Sequence, residues 1–205
     1  MELIGRNLSP FVRRTAVILT LVNQPFDQRA LSTTDDADEL SKINPVTRVP
    51  SLIMDDGECL IDSNAIIDHL LEVGDPDNSL LPASGVDRRN ILRLAAIGHG
   101  VMEKGVASAY ERGRRPKELV YDQWVEMVEG QVAGGLAALN DAAATGDWLY
   151  GDHMTLADVN AVVAFDFVGI AEPYLLKDDA YPALAALAAR CGELPAFADT
   201  AFKPD

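Results

Sequence analysis

Ser9 stands directly before Pro10 at the start of an apolar-periodic stretch. Two further short segments, Arg48-Val49-Pro50 and Asp62-Ser63, hold the other residues whose types could do chemistry. Serine at a helix N-cap and proline at the first helical position are both favourable. The hydroxyl accepts an orphan N–H, and the proline lacks an N–H that the helix could not use. That places a hydroxyl at the positive end of a helix. A free thiol titrates near ~8.5, and a helix N-terminus or a hydrogen-bond donor lowers that value by favouring the thiolate. The corner therefore suits an anion, with a thiolate as one candidate. Asp62-Ser63 opens a second helical stripe, where capping is an available role.

The elements that must position these residues alternate in the first 75 positions. Residues 2–6 read as a strand, 10–21 as a helix, 26–31 as a strand, 36–43 as a short helix ended before Pro45, and 51–54 as a strand. Asp55-Asp56-Gly57 supplies turn chemistry for a hairpin into Cys59-Leu60-Ile61. Ile66, Ile67, Leu70 and Leu71 form one stripe of a helix beginning at Ser63, which gives the order β-α-β-α-β-β-α. Residues 76–85 are rich in turn formers and read as a linker. Beyond it the pattern is helical, over 91–109, 117–139, 156–169 and 183–190. Thr155-Leu156-Ala157-Asp158 has the form of a capping box before the apolar run 159–168, and its role is structural. The expected domains are 1–75, a linker at 76–85, and an all-helical 86–205.

The composition excludes several classes of function. With 17 basic against 32 acidic residues, the chain carries −15. An acidic surface repels phosphates, so nucleic acid is not an expected partner. Glu2 follows Met1 without a basic segment or an apolar core, and no apolar run approaches ~18 residues, so neither export nor membrane spanning is signalled. A cytoplasmic location is the expectation. Cys59 and Cys191 stand far apart, and His69, His99 and His153 are isolated, so no metal site is expected.

With these residues in place, the chain resembles the glutathione S-transferase family over essentially its whole length. The carrying segments are Ser9-Pro10-Phe11-Val12-Arg13-Arg14, Asn44-Pro45-Val46-Thr47-Arg48-Val49-Pro50-Ser51-Leu52, Asp62-Ser63 before a helix, and Thr155-Leu156-Ala157-Asp158. The first is similar to a bacterial branch whose first helix opens with Ser-Pro-Phe-Val-Arg. The resemblance implies a fold of class α/β plus all-α: a thioredoxin-like N-terminal domain followed by an all-helical C-terminal domain. It implies a cis Pro50, with Val49 offering its backbone to the cysteinyl part of glutathione. Asp62 and Ser63 would grip the γ-glutamyl end, Phe11 would line the site, and Arg48 would either reach the glycyl carboxylate or lie in solvent. Ser9 would donate a hydrogen bond to the thiolate, and capping with the same hydroxyl stays open.

An acceptor pocket is expected to draw on Tyr110 and Arg114. The basic run Arg112, Arg114, Arg115 and Lys117 would either favour anionic acceptors or form a solvated helix turn. The implied activity is a glutathione transferase serving detoxification, with glutathione as co-substrate, a small electrophile as partner, no tightly bound cofactor and a homodimeric state. The same residues fit a glutathione-dependent isomerase, or a protein of this fold that binds without turnover.

Overall fold

β1 (Glu2–Ile4) places Leu3 and Ile4 fully out of solvent, and the rest of its sheet forms around it. The computed structural model describes residues 1–203. It divides into two units: Met1–Leu80 together with the stretch from Gly192 onward, and Leu81–Cys191.

In the first unit, β1 leads into α1 (Pro10–Leu21), followed by β2 (Asp27–Arg29), α2 (Ala37–Ile43), β3 (Ser51–Ile53), β4 (Cys59–Ile61) and α3 (Ser63–Gly74). The sheet order is β2-β1-β3-β4, with β1 parallel to β2 and antiparallel to β3. This is the thioredoxin-like arrangement that the resemblance implies. α1 buries Val12, Ala16, Val17, Ile18 and Leu19 completely, while α3 buries Ile66, Ile67, Leu70 and Leu71. On the sheet side, Ile4, Leu31 and Leu40 cluster with the half-buried Ile43, Val49 and Ile53. The expected strand 26–31 shrinks to three residues, because only Asp27, Gln28 and Arg29 find partners on β1.

The chain returns to this unit at its far end. A short helix, α8 (Pro195–Ala198), packs on α1 with Ala196 3% and Phe197 1% exposed. The expected helical domain, 86–205, takes in this helix and also residues 204–205, which lie outside the described residues.

The second unit holds α4 (Gly85–Arg114), α5 (Asp122–Ala143), α6 (Leu156–Ala171) and α7 (Pro182–Gly192), with 3-10 turns at Lys117–Leu119 and Pro173–Asp179. α6 is the centre: Val159, Ala161, Val162, Val163, Ala164 and Val168 are all fully buried, and α4 packs extensively on it. A Cβ at Gly98 would lie 2.9 Å from the backbone carbon of Asn160, so α4 and α6 touch backbone to backbone there. The Asn160 amide donates to the Ala95 carbonyl at 2.9 Å and pins the crossing. The capping box forms as its pattern requires, with Asp158 fully buried. Its carboxylate accepts from the N–H of Leu149 (2.8 Å), the N–H of Thr155 (2.8 Å) and the Thr155 hydroxyl (2.9 Å). Among the described residues no single helix is long and apolar enough to cross a membrane.

A polar cluster lies beyond the end of α6. Glu172 is 1% exposed, and neither carboxylate oxygen has a hydrogen-bond partner. Nearby Glu129 accepts from the Arg112 guanidinium (2.8 Å), the Tyr174 hydroxyl (2.6 Å) and the Ser108 hydroxyl (3.2 Å). Burial pushes the Glu172 carboxyl above the ordinary glutamate range and Glu129 adds to the push. Ser108, whose hydroxyl is engaged with Glu129, and Arg112 offset only part of it. The folded protein therefore holds this proton more tightly than the unfolded chain does. Its stability falls as pH rises from the ordinary glutamate range to the raised folded value, and is flat beyond it. Glu172→Gln, which has no ionisable group at this position, is expected to remove that fall, so that its advantage over the wild type grows as pH rises. Urea unfolding midpoints measured from acid to alkaline pH check this; parallel curves for the two proteins would refute it.

Candidate active site

The register of the sheet gathers the predicted chemistry at one place. Ile4 of β1 pairs with Ser51 of β3, and Ser51 pairs with Ile61 of β4, so these three residues form one row across the sheet. The chain leaves that row toward Ser9 after β1, enters it from Val49-Pro50 before β3, and leaves it into Asp62-Ser63 after β4. Three segments far apart in sequence therefore emerge at the same end of one sheet.

Ser9 is the N-cap of α1 with extended backbone (φ −71°, ψ 121°) and Pro10 at the first helical position. Its hydroxyl makes no capping bond, so the half-buried side chain is not committed to the helix backbone. Phe11, the next residue but one, is half-buried, and its carbonyl accepts from the Thr15 hydroxyl at 2.9 Å. The Val49–Pro50 peptide bond is cis, as the resemblance implies, with Pro50 buried and Val49 half-buried. Arg48 is exposed. Asp62 has φ 68°, and its carboxylate accepts from the Asn64 N–H at 2.8 Å, capping α3. Ser63, the first residue of α3, is 3% exposed.

Two residues that hold this arrangement escape a reading of types and spacing. Gly5 has φ +128°, and a Cβ there would lie 2.5 Å from the Val12 side chain and 2.9 Å from the Val49 Cβ. The loop after β1 can thus lie against Val49 only with glycine at this position. A glycine inside the expected strand 2–6, close to its end, was the available signal. Asn44 is 1% exposed; its amide donates to the Arg48 carbonyl (2.9 Å) and the Ser51 hydroxyl (3.3 Å), while its oxygen accepts from the Val46 N–H (2.9 Å). One buried side chain therefore fixes both ends of the loop that presents Val49.

Tyr110 and Arg114 lie in the second unit, one helical turn apart on α4. The Arg114 guanidinium stacks 3.6 Å from the centre of the Tyr110 ring, and Tyr110 is 44% exposed. The surrounding basic run is largely answered by its own neighbours: Arg112 pairs with Glu129 (2.8 Å) and Arg115 with Glu111 (2.7 Å).

Neither cysteine is poised as a nucleophile. Burial pushes the Cys191 thiol up to about 12, and burial also raises Cys59 by more than its hydrogen bond with Ser51 lowers it. A thiolate at Ser9 would therefore belong to a ligand.

Comparison with known proteins places this geometry among relatives. Residues 3–76 match the family described as glutathione S-transferase, N-terminal domain, and residues 122–190 its C-terminal domain. The chain is 26% identical to the uncharacterized GST-like protein YibF of Escherichia coli over 129 residues, spanning 63% of each chain. It is 33% identical to a maleylacetoacetate isomerase of Pseudomonas aeruginosa over 169 residues, 80% of this chain and 76% of the relative. A glutathione S-transferase of Methylobacterium radiotolerans, solved in complex with glutathione sulfonate, superposes with a TM-score of 0.92 at 26% identity, covering 100% of this chain and 95% of that one.

Proposed function

The chain belongs to the glutathione S-transferase family, and from that premise we propose that it binds glutathione in its first unit and turns the bound thiol into a nucleophile. The convergence of Ser9, Val49 and Asp62-Ser63 at one end of the sheet carries the reading. The Val49 backbone pairs with the cysteinyl residue as an added strand would. Ser63 receives the γ-glutamyl carboxylate at the positive end of α3, and Asp62, which uses one oxygen as a cap, keeps the other for the ammonium group. Ser9 donates to the sulfur. Lowering a thiol from ~8.5 to about 6.5 takes roughly 2.7 kcal/mol, within reach of one hydroxyl plus a helix end. The thiolate then attacks a small electrophile held close to it, with proximity supplying much of the rate.

A second reading has its own support in the similarity to a maleylacetoacetate isomerase. There the thiolate adds to a conjugated double bond, rotation follows, and the same thiolate leaves, so that glutathione is regenerated. Isomerisation leaves the thiol concentration constant during turnover, whereas conjugation consumes one thiol per product.

Calorimetric titration with reduced glutathione tests the shared premise. The wild type is expected to bind saturably and Ser63→Ala to bind about 10-fold more weakly, the loss of one hydrogen bond to a charged group. Absence of heat with the wild type would rule out glutathione as the thiol.

A further inference from the structure

Arg14 belongs to none of the roles above, yet it is 2% exposed and is one of the largest fully buried side chains of the protein. Burying a guanidinium is costly, and arginine stays charged wherever it sits. Its Nη2 donates to the Asn64 side-chain oxygen at 2.5 Å, a charge-assisted hydrogen bond spanning fifty positions of sequence. Asn64 is the second residue of α3, and its own N–H is held by the Asp62 carboxylate at 2.8 Å. Asn64 is thus clamped twice, at its backbone by the N-cap and at its side chain by α1. Ser63 lies between Asp62, which caps the helix, and the doubly held Asn64.

We propose that Arg14 is a positioning residue for the γ-glutamyl carboxylate of glutathione, an inference that rests on the glutathione reading. Arg14 stands on the same helix as Ser9, five residues along. Its bond to Asn64 therefore ties the first turn of α3, which receives the carboxylate, to the helix whose start faces the sulfur. It fixes the span between the two ends of the ligand. Arg14 also keeps a permanent positive charge behind the first turn of α3, in surroundings where electrostatic interactions reach farther than in water.

The test is a mutant cycle read by glutathione calorimetry, well below the unfolding midpoint of each variant: wild type, Arg14→Gln, Asn64→Ala, the double variant, and Arg14→Lys. Arg14→Gln and Asn64→Ala are each expected to weaken binding by about 10-fold, and the double variant no more than either alone, because both remove the same link. Arg14→Lys, which keeps the charge but not the fork, should recover part of the loss. A merely structural arginine would lower the unfolding midpoint and leave the affinity of the still-folded protein unchanged. Should Arg14→Gln fail to fold, the solvent-exposed Asn64→Ala decides alone. Unchanged affinity in the variants, or losses that multiply in the double variant, overturns this inference while the glutathione reading stands. No binding by the wild type overturns both.

Discussion

On the proposed glutathione reading, Ser9→Ala is expected to lower turnover by about 10- to 100-fold and to leave glutathione binding nearly as tight. The magnitude is that of one hydrogen bond to a charged group, lost from the thiolate and from the transition state that grows out of it. The structure separates this outcome from a folding effect. Removing a capping side chain ordinarily costs about 0.5–2 kcal/mol, but the Ser9 hydroxyl makes no capping bond, so the unfolding midpoint should hardly move. The bound thiol should instead titrate about 1–2 units higher, which the ultraviolet absorbance of the thiolate reports directly. If the titration stays where it was, the serine is not the donor. Should it stay while turnover also persists, the helix end alone would suffice to hold the anion.

The largest effect on stability is expected at Asp158. Its carboxylate is fully buried and accepts two N–H groups and one hydroxyl, so Asp158→Ala leaves three buried donors without a partner at once. At about 1–3 kcal/mol for each unsatisfied group, with some relaxation of the loop before α6, a loss of roughly 3–5 kcal/mol follows. Such a loss is a large share of the 5–15 kcal/mol that domains typically possess. Asp158→Asn keeps one acceptor oxygen and should lose about half as much. Urea denaturation of the three proteins measures the series. Equal midpoints for alanine and asparagine would show that hydrogen bonding is not what the aspartate contributes. Burial pushes this carboxyl upward and its donors only partly restrain it, so the charged form depends on all three.

What the sequence made legible, and what it did not, divides along the range of the forces involved. β4, the start of α3 and the capping box follow from neighbouring residues, and the structure has them where the pattern put them. α4 runs from Gly85 to Arg114, well beyond the expected 91–109. The expected helix already ran through its interior glycines, and the structure supplies their reason: Gly98 is required by the close approach of α6, and at Gly105 a Cβ would come within 3.0 Å of the Phe167 ring. α5 begins at Asp122 because Lys117–Leu119 turns as a 3-10 segment before the apolar stripe of Val125, Val128 and Val132 takes over. At the candidate site, the residues that would touch a ligand carried type and spacing signals. Asn44 and Arg14 stood inside the same segments and Gly5 just before them, but their roles were not legible there, since each acts through a tertiary partner or through a backbone angle.

The return of the chain to its first unit sets an order of events during synthesis. α8 completes the packing on α1, yet everything in Leu81–Cys191 is made in between. At ~5–20 residues per second, α1 and its sheet leave the ribosome roughly 5–25 s before Phe197 is available to cover them. Through that interval the part of α1 on which α8 comes to rest is uncovered, and Ala196 and Phe197 close it more than a hundred positions later.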